Sequence, residues 1–234
     1  IGYNLLLATI LALSVIQTFS FITTIVYQII KPLKGFLSAL RLIFFGLLGA
    51  FIVNLGGNLH TIYLFTKGYP NENPIPFWKI LSWYNPTKYW YPNATRFIPY
   101  TIHEFPSYSW VVADLHGHVF DIPFVLLTIS ILFFLYVKNS KRENHSQPDT
   151  RSSKLEAREI STNFNPSIPL RVNQFQLFSA ISLGFLTAVH YMTNAFDGPI
   201  YILLSLIVFF FIYRFSIKLL LNSVVLIVSF IIFV

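Results

Sequence analysis

Six long runs of apolar residues, at 5–30, 36–53, 122–137, 175–192, 200–213 and 217–234, constrain this chain more than any other feature. A hydrocarbon core about 30 Å thick takes roughly 20 apolar helical residues to cross. It takes a helix because every backbone N–H and C=O in lipid must pair within its own segment. Runs short of that length are completed by tilt or by flanking residues. Only 11% of the residues are charged, against about 25% in a soluble domain. The expectation is an all-α, polytopic transmembrane helical protein with about six spans in a single transmembrane domain, residues 1–234. Its first partner is the lipid bilayer. The chain begins at Ile1 and its last run reaches Val234 without a polar flank, so it reads as a fragment of a longer protein.

The formal charge of +7 is no sign of nucleic acid, because the cations are gathered by position. They concentrate at Lys31 and Lys34, then at seven positions between Lys138 and Arg171, then at Arg214 and Lys218. Alternate threading of six spans brings all three connections to one side, and the positive-inside rule makes that side cytoplasmic. Residues 138–173, polar and rich in Ser, Asn and Arg, read as a cytoplasmic connector. Residues 54–121 then form a large extracytoplasmic loop, whose Lys67, Lys79, Lys88 and Arg96 are balanced by Glu72, Glu104, Asp114 and Asp121. Arg41, one to two turns into the second run, reads as an interfacial arginine that snorkels. Cysteine is absent, which excludes a disulfide framework, a thiolate nucleophile and a Cys-based zinc site.

The chemistry-bearing residues crowd into the end of that loop. His103, Glu104, Asp114, His116, His118 and Asp121 place three carboxylates and three imidazoles within 19 residues. Two geometries are open. A helix begun near Tyr108 and kinked at Pro123 sets Asp114, His118 and Asp121 on one face, with His116 nearly opposite. A helix begun at Asp121 is capped by that carboxylate and leaves His116 and His118 in a turn, converging on one ligand. Either way Asp114 or Glu104 can serve as a general base. The set Asp114, His116, His118 and Asp121 can hold a divalent metal ion, and the same groups can relay protons in a transporter. Interfacial hydrogen bonding without chemistry is the bland alternative. A second polar cluster, Asn194 and Asp197 before Gly198 and Pro199, reads first as a turn and otherwise as part of the same outer site. His190, inside a span, divides between a helix–helix hydrogen bond and a site role.

Three stretches carry a family resemblance: Asn93-Ala-Thr-Arg-Phe-Ile-Pro99, Thr101-Ile-His-Glu-Phe-Pro-Ser-Tyr-Ser-Trp110 and Asp114-Leu-His-Gly-His-Val119. Together with Asn54-Leu-Gly-Gly-Asn58 upstream and Asn194-Ala-Phe-Asp-Gly-Pro-Ile-Tyr201 downstream, they resemble the prokaryotic YYY membrane protein family. That family is a multi-pass domain of unknown function similar in fold to GT-C glycosyltransferases. The resemblance implies a multi-pass protein of a prokaryotic plasma membrane that takes sugar from a polyprenyl-phosphate donor at the outer face. It implies Asp114 or Glu104 as the catalytic base, assisted by His116 and His118. Arg96 and His103 would bind substrate, Arg96 at the phosphate, with Trp83, Tyr89 and Trp90 lining the groove and Asn194 and Asp197 completing it. A proton- or ion-coupled transporter and a non-catalytic membrane assembly protein are the competing functions.

Overall fold

The computed structural model describes residues 2–30, 35–57, 60–69, 75–88, 95, 101–102, 104–146 and 174–234. Among them are seven α-helices: α1 (Gly2–Ile30), α2 (Phe36–Leu55), α3 (Pro106–Val112), α4 (Gly117–Ser146), α5 (Gln174–Thr193), α6 (Asp197–Tyr213) and α7 (Ile217–Phe233). No strand is formed among the described residues, only one isolated antiparallel bridge, Thr66 to Leu81. Four helices are long and apolar enough to cross a membrane: α1, α2, the stretch Gly117–Ser140 of α4, and α5. The 17-residue α6 and α7 are apolar but shorter, so of the six expected spans these two rest on composition alone. α4 also continues beyond Val137 to Ser146, into the segment read as a connector.

The chain divides into two compact units, Ile1–Pro123 and Phe124–Val234. In the first, α1 and α2 pack as a hairpin along stripes of small residues. Ile10, Ser14 and Thr18 are the buried positions of α1, and Gly46, Ala50 and Asn54 those of α2. Each set recurs every four residues, which is one helix face. In lipid two helices gain nothing from burying leucine, so small residues that let backbones approach favour association. A Cβ at Gly46 would stand 2.6 Å from Thr23 Cγ2 and 2.7 Å from the Phe19 ring. The hydroxyl of Thr18 donates to Ser14 O at 2.7 Å and the amide NH2 of Asn54 to Ala50 O at 2.9 Å, so these two donors are satisfied along their own helices.

In the second unit α5 is the central element, buried at eight positions from Ser179 to His190. Its crossing with α7 is close: a Cβ at Gly184 would lie 2.5 Å from Ser229 Cβ and 2.6 Å from Leu226 O. Leu132 and Leu135 of α4, Leu183 of α5, Phe209 and Ile212 of α6, and Leu226 of α7 form the apolar core. Two side-chain hydrogen bonds tie α4 into it. Thr128 Oγ1 meets His190 Nε2 at 2.9 Å, and Asn139 Nδ2 donates to Ile212 O at 3.3 Å. The buried His190, whose ring also packs on Tyr201 at 4.5 Å, thus makes the helix–helix bond that was one of its two readings.

Candidate functional site

The described residues between α2 and α4 make contacts among themselves as well as with α1 and α2. Short 3-10 turns form at His60–Phe65, Phe77–Lys79 and Pro86–Lys88. Backbone bonds from Lys67 N to Ile80 O and from Ser82 N to Phe65 O hold the first two together. Within the first lies an aromatic knot. The His60 ring stacks on Tyr63 at 4.5 Å, and His60 Nε2 meets the Tyr69 hydroxyl at 2.6 Å. Tyr63 donates its hydroxyl to Ile75 O at 2.8 Å. Burial pushes the His60 imidazole down to about 4. Burial, then the neighbouring Tyr63, raises Tyr69 to about 12.

The acidic and imidazole residues sit where α3 gives way to α4, and neither expected helix is formed there. Pro106 starts α3, a place that suits proline because the first-turn N–H has no partner to lose. That helix ends at Ala113, which adopts the left-handed conformation with φ 56° and ψ 43°. After a three-residue turn α4 begins at Gly117, and the carbonyl of His116 accepts its first bonds, from Val119 N and Phe120 N. Asp121 is therefore no cap. It is fully buried in the second turn of α4, and Pro123 lies inside the same helix.

Here four of the predicted residues are linked through His116 and Glu104. His116 Nδ1 lies 3.2 Å from Glu104 Oε2 and 3.2 Å from Asp114 Oδ2. His118 Nε2 approaches the same Glu104 oxygen at 3.6 Å, which is ion-pair range rather than a hydrogen bond. The two imidazoles stack at 5.7 Å with 14° between their planes. Glu104 is the shielded member, its side chain 16% exposed against 49% for His116 and 45% for Asp114. With Nδ1 placed at two carboxylates, Nε2 is the ring nitrogen of His116 outside these contacts. This is the arrangement in which an imidazole, oriented by an acid, takes a proton from a reacting hydroxyl. Among the described residues no three His, Asp or Glu side chains are disposed, as they stand, to hold a metal ion.

One residue of the site lay outside every sequence expectation. The Tyr3 hydroxyl, at the start of α1, donates to Ala113 O at 3.0 Å and accepts from Leu115 N at 2.6 Å. It clamps the turn that carries Asp114 on both sides. Trp110 similarly anchors α3 to the end of α2, donating Nε1–H to Asn54 O at 2.9 Å.

Residues 1–231 match the family described as uncharacterised membrane protein (DUF2298). The chain belongs to this family. Comparison with curated proteins and with solved structures gives no match. For this family member, membrane residence and lipid contact follow from the family and from the apolar helices together. The other expected site residues fall in two groups. Arg96, His103, Tyr89 and Trp90 lie outside the described residues, as does the interior of the connector. Trp83 is described and is 90% exposed. Asn194 and Asp197 belong to the second unit, where Asn194 Nδ2 donates to Asp197 Oδ2 at 2.9 Å. Asp197 N–H donates to Asn194 O at 2.9 Å, so each serves the turn before α6.

Proposed function

We propose that this DUF2298 protein is a membrane glycosyltransferase, similar to GT-C enzymes, that moves a sugar from a polyprenyl-phosphate carrier to an acceptor hydroxyl at the outer face of the membrane. The observation that carries the reading is the Glu104–His116–Asp114 contact, with His118 on the same Glu104 oxygen, beside the first turn of a membrane-spanning helix. In the reaction the acceptor oxygen attacks the anomeric carbon as His116 Nε2 takes its proton. The bond from that carbon to the phosphate oxygen breaks, and the carrier leaves as polyprenyl phosphate. Glu104 and Asp114 stabilise the imidazolium that forms, a role worth about 10²–10⁴ in rate for a placed general base. Arg96 meets the leaving phosphate as a charge-assisted donor. Trp83, Tyr89 and Trp90 would line the groove for the sugar and the lipid chain.

Coupled ion or proton transport is the second reading, and a specific observation favours it. Asp121 and His190 are both buried within helices long enough to span. An intramembrane ionisable residue is a transport hypothesis by default. One preparation separates the two. The full-length protein is reconstituted with native lipid extract, with and without a chelator. Mass spectrometry follows polyprenyl-phosphate sugars while a trapped pH dye follows proton flux. Loss of lipid-linked sugar without flux supports the transferase; flux without sugar consumption transfers the assignment to transport.

A further inference from the structure

In the second unit a cleft of about 280 Å³ opens between α4 and α5, walled by Ile131, Phe134, Phe175, Phe178 and Ser182. Its hydroxyls do not make it polar. Ser130 donates to Leu126 O at 2.6 Å and Ser179 to Phe175 O at 2.8 Å, so each is spent on its own helix. Ser182 adds one further hydroxyl to the wall, and the rest of the surface is rings and methylenes.

The cleft has a cationic end. Lys138 Nζ lies 3.6 Å from the centre of the Phe175 ring and 5.6 Å from that of Phe134, the two rings that wall the cleft. Such contacts fix an ammonium in place without using its three N–H donors. Among the described residues Lys138 forms no ion pair. A separate, water-sized recess of about 20 Å³, which Phe175 also lines, has Lys138, Asn139, Gln176 and Tyr213 in its wall. Lys138 also stands two residues before the end of the spanning stretch Gly117–Ser140, where a membrane helix reaches headgroup depth. Lys141 and Arg142 follow in the sequence.

An apolar cleft whose walling rings hold an ammonium, at that depth, fits one class of molecule. We propose that it is a binding site for an anionic phospholipid, with an acyl chain between Phe134 and Phe178 and the phosphodiester against Lys138. Charge complementarity selects the lipid: a zwitterionic headgroup brings its own cation to a place that already holds one. The site does not depend on the transferase reading.

The test is native mass spectrometry of the delipidated full-length protein, titrated with dioleoyl phosphatidylglycerol or with dioleoyl phosphatidylcholine. The chains are the same, so only the headgroup differs. Wild type retains one phosphatidylglycerol about fivefold more tightly, the scale set by one lysine near a membrane surface. Lys138→Gln loses that preference and Lys138→Arg keeps it. Ser182→Phe, which fills the cleft, weakens both lipids. Equal affinity of wild type for the two lipids overturns the proposal and needs no variant to fold. An undiminished preference in Lys138→Gln, unchanged lipid binding in Ser182→Phe, or a second protein copy occupying the cleft in place of lipid also overturns it.

Discussion

Tyr3 and Ala113 are 110 residues apart in sequence, yet one phenol holds both sides of the turn that presents Asp114. A non-glycine residue in the left-handed region costs about 1–2 kcal/mol. At Ala113 that cost is offset by the two hydrogen bonds at the Tyr3 hydroxyl, one donated to Ala113 O and one accepted from Leu115 N, each worth about 0.5–1.5 kcal/mol net. Tyr3→Phe removes both. The expected outcome is a fall in kcat of roughly tenfold with KM little changed, because the substrate contacts remain while the acid is misplaced. Equal loss in kcat and in thermal stability, with no kinetic split, would make Tyr3 a structural residue only. His60 offers a separate test. Its folded-state value of about 4 lies below the 6.5 of a free imidazole, so the unfolded chain binds the proton more readily. The stability of the knot is therefore complete above pH 6.5 and is lost as pH falls toward 4, by up to about 1.4 kcal/mol per pH unit. Thermal unfolding followed from pH 7.5 to 4.5 should show that slope, and His60→Gln should flatten it.

At the scale of the helix, the apolar runs located the elements well because the bilayer imposes both length and internal hydrogen bonding. The run at 36–53 became Phe36–Leu55, and that at 175–192 became Gln174–Thr193. The start of α4 was missed in both readings, near Tyr108 and at Asp121. The apolar run at 122–137 ignores the polar first turn, and the helix starts at Gly117, with Pro123 inside it. The site itself was half legible. Residue types and crowding pointed to Glu104, Asp114, His116 and His118, but the break at Ala113 that turns the imidazoles toward Glu104 carries no periodic signal. Neither does the Tyr3 clamp, nor the His60 knot, whose members are ordinary loop residues in the sequence. Close helix crossings give the prediction that belongs here. Gly184→Val sets a branched side chain against Ser229 and the Leu226 carbonyl. Overpacking of this kind costs about 1–3 kcal/mol. A lowered unfolding temperature is expected in Gly184→Val, with a smaller effect in Gly184→Ala; wild-type stability in both would remove the α5–α7 crossing from the account.

For the whole molecule, the account requires the acid–base cluster to face the outer aqueous phase, since the proposed lipid-linked donor would be used there. A chain without cysteine makes this directly accessible. Phe36→Cys, at the start of α2, and Trp83→Cys, beyond its end, are both exposed positions. A membrane-impermeant thiol reagent added to intact cells should label Trp83→Cys and should reach Phe36→Cys only after permeabilisation. The reverse pattern would place the cluster inside and remove the outer-face donor. The most direct measurement is turnover of polyprenyl-phosphate sugar by the reconstituted full-length protein, wild type beside Glu104→Gln. Glutamine keeps the shape of Glu104 but loses the charge shared by both imidazoles. The account predicts a loss of about 10²-fold or more in turnover, with helix content and unfolding temperature unchanged. A folded Glu104→Gln protein that turns over lipid-linked sugar at the wild-type rate would contradict it.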